Sequence, residues 1–172
     1  GARLIQEMAT PDASGLLDAM PAHAVVDLLA RMPEEQRDAL RSSLDAELLA
    51  TVDALAHYPE GTAGSIMNPN CLAIPATADA PADVERGAYI YAVDEHYRPV
   101  GVVSLRELAT ARAGDQVADI MTREVLVARD TDAAVDAARR VRSRRLKLLP
   151  VVDGDNQLVG VITFNQAMDL LA

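Results

Sequence analysis

Tryptophan is missing from the sequence, phenylalanine occurs once and tyrosine four times. A core made of these residues must therefore be aliphatic, and the half of the chain that is hydrophobic supplies it. Cysteine is as scarce: Cys71 stands alone, which excludes an internal disulfide and fits a reducing compartment. Positive charge is short too, with 16 Lys and Arg against 26 Asp and Glu and a net charge of −10. Such a chain repels nucleic acid and anionic membrane surfaces and suits cations or basic surfaces. No apolar run approaches the roughly 18 residues of a spanning helix, and no signal-peptide pattern is present, so these residues are expected to be soluble. His23, His57, His96 and Cys71 lack zinc-ligand spacing. There is no nucleophile–base pair, and Gly61-Thr62-Ala63-Gly64-Ser65 is too short to read as a phosphate-binding loop. No enzyme activity is expected.

What the chain does have is a stretch that occurs twice. Val100-Gly101-Val102-Val103-Ser104-Leu105 is echoed by Val159-Gly160-Val161-Ile162-Thr163-Phe164. Each copy follows a hydrophobic run ending in Val-Asp, at Asp94 and Asp153, and each opens on Ile-Met, at Ile66-Met67-Asn68 and Ile120-Met121-Thr122. A repeat of this kind sets the architecture of the last two thirds, here as two β-α-β-β-α units. In the first, strands are expected at Cys71–Ile74, Tyr89–Val93 and Pro99–Val103, with Ser104 capping a helix over Leu105–Ala111. In the second, Val125–Ala128 is the expected strand and Asp132 the expected cap of a helix reaching about Arg145. Leu148–Val152 and Leu158–Ile162 form a strand pair around the turn Asp153-Gly154-Asp155-Asn156, and Thr163 caps the last helix. The Ile-Met signals stand 54 residues apart but the Val-Gly pairs 59. The first copy is short, and by comparison a helical segment of about ten residues is expected to be deleted, or to fall outside the structure, near Asp79-Ala80.

Residues 1 to 58 read differently. Met20-Pro21 recurs at Met32-Pro33, and Leu44-Asp45 falls at the next interval. Proline suits the first turn of a helix and disfavours helix in the residue before it, so short helices are expected near 12–19, 22–31, 34–42 and 45–57. Each carries one apolar stripe and is too short to stand alone. This third holds 4 basic and 10 acidic residues. Its carboxylates read either as a solvated face or as a cation-sensitive surface, since crowded carboxylates repel unless a hard divalent ion lies between them. The fold expected is α+β, with an all-α domain at 1–58, a shortened repeat unit at 59–119 and a second unit at 120–172.

The doubled unit with its G-h-h-S/T pattern and Ile-Met openings resembles paired CBS domains, a Bateman module. With the preceding helical repeat, the join Tyr58-Pro59-Glu60-Gly61-Thr62-Ala63-Gly64-Ser65-Ile66-Met67 resembles the cytosolic part of MgtE-type magnesium transporters over essentially the whole chain. The resemblance implies a helical superhelix, then tandem CBS domains, on the cytoplasmic side of the membrane. It implies a homodimer through the CBS domains and a transmembrane pore domain farther along the same protein. Regulatory Mg²⁺ would bridge acidic residues and favour the closed pore. Asp27, Asp132 and Asp169 match acidic positions of the family, although Asp132 reads equally as a helix cap. Other positions depart: Asn165-Gln166 replaces an acidic pair, and Arg144 or Arg145 stands where a carboxylate belongs.

CBS modules also bind adenine nucleotides such as ATP. The resemblance places a site at Ser104, Arg106 and Glu107, with Tyr89 flanking the base, Glu107 replacing the usual Asp, and no carboxylate in the second copy's Thr163-Phe164-Asn165-Gln166. Ser104 and Glu107 read equally as a capping box. The other reading of the chain is a soluble nucleotide-sensing CBS regulator acting in trans. Arg139, Arg140, Arg142, Arg144, Arg145 and Lys147 put six basic residues in nine positions, either as a solvated helix face or as a dock for the acidic helical third; with no interleaved aromatics they do not suit nucleic acid.

Overall fold

A computed structural model describes residues 22–80 and 90–172, together with Leu17 and Met20. The chain divides into two compact units, Gly1–Glu60 and Gly61–Ala172. The first contains helices α1 (Ala22–Ala30), α2 (Glu34–Arg41) and α3 (Ala46–Leu55). Their apolar stripes converge on Val25, Leu28, Leu29, Leu40, Leu44 and Val52, with Leu17 and Met32 in the same cluster. Asp45 caps α3 by accepting the Leu48 amide at 2.7 Å, the role its place in the Met-Pro/Leu-Asp beat suggests. The helix expected near 12–19 lies outside the described residues.

The second unit opens on α4 (Ala63–Ile66), followed by β1 (Ala73–Pro75), β2 (Ile90–Val93), β3 (Pro99–Val103), α5 (Leu105–Thr110) and α6 (Val117–Ile120). The second copy contributes β4 (Ala128–Arg129), α7 (Ala134–Arg144), β5 (Leu148–Val152), β6 (Leu158–Thr163) and α8 (Phe164–Leu171). Each copy makes a three-stranded sheet, β1-β2-β3 and β4-β5-β6, with the first pair parallel and the second antiparallel. The registers superimpose: Ala92 faces Gly101 as Val151 faces Gly160. Both hairpin turns are tied by an aspartate, Asp94 or Asp153, whose Oδ1 accepts two backbone amides at 2.9 Å. The Arg98 amide, and after it that of His96, holds the Asp94 carboxyl below its usual range.

Two expectations need correction. The strand expected over Val125–Ala128 begins only at Ala128, because its neighbour β5 carries Pro150. In the first copy the equivalent residue, Tyr91, donates its amide to Leu72 O at 3.0 Å; Pro150 has no amide to offer, so the parallel ladder starts one residue later. Leu126 and Val127 are left exposed. Second, Asp132 is not the cap of α7. Ala133 occupies the N-cap, without a side-chain bond, while the Asp132 carboxylate turns back to accept the Arg129 amide at 3.1 Å and pairs with Arg140 at 3.0 Å.

The shortfall of the first copy is also located. Ile74 pairs with Ala92 as Ala128 pairs with Val151, so the loss is five residues rather than ten. Asp79 and Ala80 are both anchored, Asp79 bridging to Gln116 and the Ala80 amide reaching Asp115 O at 2.9 Å. The loss therefore lies between Ala80 and Ile90.

The Ile-Met openings do something their sequence position conceals. Asn68 pairs with Val161 of the second copy, through bonds of 2.7 and 2.9 Å, and Thr122 pairs with Val102 of the first, through two of 2.9 Å. Each copy thus lays its opening arm along the edge of the other copy's hairpin. Met67 sits over Gly160 and Met121 over Gly101, so closely that a Cβ at either glycine would lie within 3 Å of the methionine side chain. Glycine is needed at both places for this close approach.

Candidate functional site

Ser104 closes β3 in an extended conformation and caps α5. Its Oγ accepts the Glu107 amide at 3.3 Å, while the Ser104 amide and hydroxyl donate to Glu107 Oε2 at 2.7 and 2.8 Å. Thr122, delivered by the exchanged arm, donates to the other oxygen, Oε1, at 3.2 Å. The structure therefore brings Ser104 and Glu107 together in a complete capping box. Arg106 is exposed on the same helix, and Tyr89 lies outside the described residues. Partial burial pushes the Glu107 carboxyl up, but the Ser104 amide, the Ser104 hydroxyl and the Thr122 hydroxyl together outweigh it and hold the group below the usual carboxylate range.

A carboxyl depressed in the folded state contributes stability above its ordinary pKa and loses it as pH falls through the folded value. Melting temperatures of the parent and of Glu107→Gln are accordingly expected to differ most near about pH 7 and to converge on acidification below about pH 4. A constant gap across that range would show that the charge of Glu107 adds nothing to the fold.

A cavity of about 630 Å³ lies in the same unit, and Ser104, Arg106, Glu107 and Thr122 are not among the residues that line it. Val102 in its wall lies two residues before Ser104, and Glu124 two residues after Thr122. Its apolar lining comes from Tyr91, Val102, Val125, Leu126, Leu146, Leu148 and Pro150, and its charged lining from Arg144, Arg145, Lys147 and Glu124. Tyr91 on β2 supplies the aromatic lining; the sequence reading names Tyr89 instead, although strand alternation puts both on one face of this run. The cations come from the end of α7. There the Leu146 amide reaches Val141 O at 3.0 Å, a helix-ending turn that needs a left-handed residue, and Arg145 fills it at φ 53°. The turn places Arg144, Arg145 and Lys147, all three exposed, in the lining of the cavity. Arg139 and Arg140, farther back, pair with Asp136 and Asp132. Burial raises the Cys71 thiol pKa, which leaves it a packing residue.

Asp27 and Asp169 are exposed on α1 and α8, and Asp132 is engaged with Arg140. Within neither unit do three Asp, Glu, His or Cys side chains gather to hold a metal, among the described residues. Mg²⁺ commonly keeps several waters and takes only one or two carboxylates, and Asp132 already has the Arg140 guanidinium beside it.

Comparison with known proteins agrees with this architecture. Residues 1–61 match the MgtE intracellular N domain family and residues 117–172 the CBS domain family. The magnesium transporter MgtE of Thermus thermophilus is 37% identical over 142 residues, covering 77% of this chain and 32% of the transporter. The chain spans about a third of the length of the curated relatives it matches. The crystal structure of the soluble part of a magnesium transporter superposes with a TM-score of 0.80 at 29% identity, over 97% of this chain and 69% of that one. The cytosolic domain of the Mg²⁺ channel MgtE in complex with ATP gives 0.78 at 27% identity, over 98% and 78%. The chain is thus a homologue of the MgtE transporters, combining their intracellular N domain and a CBS domain in the fold of their soluble part.

Proposed function

We propose that this chain is the regulatory region of a Mg²⁺ transporter, lying on the cytoplasmic face of the membrane, without catalysis of its own and coupled to a transmembrane pore in the same protein. The observation that carries this is the correspondence of both units, along 97% of the chain, with the soluble part of a magnesium transporter. A homodimer through the CBS unit agrees with the apolar side chains that α7 and α8 leave exposed, Val135, Phe164 and Leu170. The signal is Mg²⁺ itself, acting on a chain whose carboxylates outnumber its cations by ten. An ion bound better in one arrangement than in another shifts the population by that difference in affinity and no more. Asp27 and Asp169 are the first carboxylates to meet it, and Asp132 joins on releasing Arg140.

Millimolar Mg²⁺ is expected to slow proteolysis within residues 1–58, where Na⁺ at equal ionic strength does not, and Asp27→Ala to abolish the protection. Equal digestion with and without Mg²⁺ would remove the metal from this account. Adenine-nucleotide sensing is the second reading, favoured by the cleft lined by an aromatic and several basic residues and by the ATP complex of a relative.

A further inference from the structure

We infer that the first copy carries a site for a small organic dication, an aliphatic diamine, in a cavity formed by β1, the end of β2 and the turn between β2 and β3. The cavity measures about 670 Å³, within the range of small-molecule sites. It shares no residue with the cavity described above. Nor is it that cavity's counterpart in the first copy. Ile74 corresponds to Ala128 through their pairings, which carries Val125 and Leu126 onto Cys71 and Leu72, and neither lines it.

The lining combines apolar surface, from Pro75, Ala76 and Val93 among others, with Asp94, Glu95 and Tyr97, and it contains no Lys, Arg or His. Two carboxylates without a cation among them call for two positive charges. The groups nearby supply little. Arg98 lies close to Asp94 without pairing with it and gives its Nε to the Asp155 carbonyl oxygen at 3.2 Å. His96 stands 3.6 Å from Glu95 and is charged only when protonated. Mg²⁺ is a poor match, because it takes oxygen ligands and holds its water, whereas much of this lining is apolar. A diamine matches every part: ammonium groups for the carboxylates, a methylene stem for the apolar wall and a cation for the tyrosine ring.

Comparison of the two hairpins offers a second sign. Tyr97 adopts φ 61°, and so does Asn156, its counterpart in the second copy. Asparagine suits this left-handed conformation, while a bulky side chain takes it at a cost. Gly154 likewise stands where the first copy has Glu95. The second hairpin thus has ordinary turn residues where the first has two side chains that line a cavity. An unfavourable conformation kept at a cavity wall points to use of the side chain. The turn is also held in place by the other hairpin. The Leu158 amide donates to Tyr97 O at 2.9 Å, and Gln157 Nε2 to His96 O at 3.1 Å. The tyrosine therefore hangs from a braced backbone, and little order is left to be imposed by the ligand. The unit would respond to an organic cation separately from Mg²⁺.

Amide chemical-shift titration of the 172-residue chain tests this with diaminobutane, butylamine, Na⁺ and Mg²⁺ at matched ionic strength. Diaminobutane is expected to shift the amides of Ala73, Ala76, Thr77, Glu95 and Tyr97 saturably and to bind about fivefold or more tightly than butylamine. Tyr97→Asn puts the second copy's residue into the turn. It is expected to weaken diaminobutane about threefold or more while the melting temperature holds or rises, which separates loss of the ring from loss of the fold. Glu95→Gln should weaken it about twofold or more. Equal binding of butylamine, the same pattern of shifts with Na⁺ or Mg²⁺, or unchanged affinity in Tyr97→Asn overturns the proposal. Tighter binding of a lysine-rich peptide than of diaminobutane overturns it in favour of a protein partner. Neither the magnesium nor the nucleotide reading depends on the result.

Discussion

Leu149→Ala is expected to lower the melting temperature of the Gly61–Ala172 unit by on the order of 10 °C. Leu149 is fully buried in β5, opposite the equally buried Ile162. Both faces of the strand are closed, since Pro150 and Val152, which alternate with Leu149 and Val151, are buried as they are. Helix and sheet backbones here cannot easily collapse onto a void, so the loss combines the transfer term with an unrelieved cavity, about 2–5 kcal/mol for leucine to alanine. For a unit of this size each kcal/mol shifts the midpoint by about 4–8 °C at the small end and about 2–4 °C at the large end. The neighbouring Leu148→Ala, at a half-buried site, serves as the control and should cost markedly less. Equal shifts for the two variants in a circular-dichroism melt would show that this core is looser than the burial implies.

Gly160→Ala is expected to destabilise by about 1–3 kcal/mol, the usual cost of overfilling a packed site. A Cβ there would lie 2.6 Å from Met67 Sδ, 2.8 Å from Met67 Cγ and 2.9 Å from the Asn68 carbonyl oxygen. Gly101→Ala looks alike but should be milder. Its three nearest atoms, Sδ, Cγ and Cβ, all belong to Met121, and Met121 is half-buried where Met67 is 2% exposed. Shortening the obstructing side chain separates the cases. Met121→Ala should restore most of what Gly101→Ala loses, whereas Met67→Ala should restore Gly160→Ala only in part, because the Asn68 backbone remains in the way. Identical rescue in both double variants, measured by denaturant unfolding, would mean that the backbone contact is not what makes Gly160 necessary.

Those glycines also mark the limit of what could be read from the chain. The hairpins were legible because alternating hydrophobic runs and Asp-turn residues are local signals, and β3 and β5 run over the residues expected. Ser104 and Thr163 were legible as caps because the carboxylate or amide three residues on completes each box. By contrast, β4 was placed three residues early because its length depends on Pro150, a neighbour in the sheet but distant in sequence. Asp132 looked like a cap because its type and position suit one; that its carboxylate folds back onto Arg129 depends on the turn before it. The exchanged arms left only an indirect trace, a glycine inside each of two strands, where close backbone approach is a usual cause. The basic run was plain as charge, but its arrival at a cavity follows from the left-handed turn at Arg145, which nothing local in an arginine announces.

The exchange of Met67 and Met121 between hairpins bears on how the doubled unit can be made at all. Neither half is a self-sufficient building block, since each leaves a bare sheet edge that only the other's leading strand-like segment covers. Ribosomal synthesis releases the first hairpin before Thr122 exists to cover Val102, and an uncovered edge of that kind invites pairing with another chain. Where two copies of the protein are made side by side, the same segment from a neighbour fits as well as its own, the condition under which domain swapping occurs. Misassembly by swapping is thus a standing hazard of this architecture, smaller for Thr122, 20 residues from its partner Val102, than for Asn68, 93 residues from Val161.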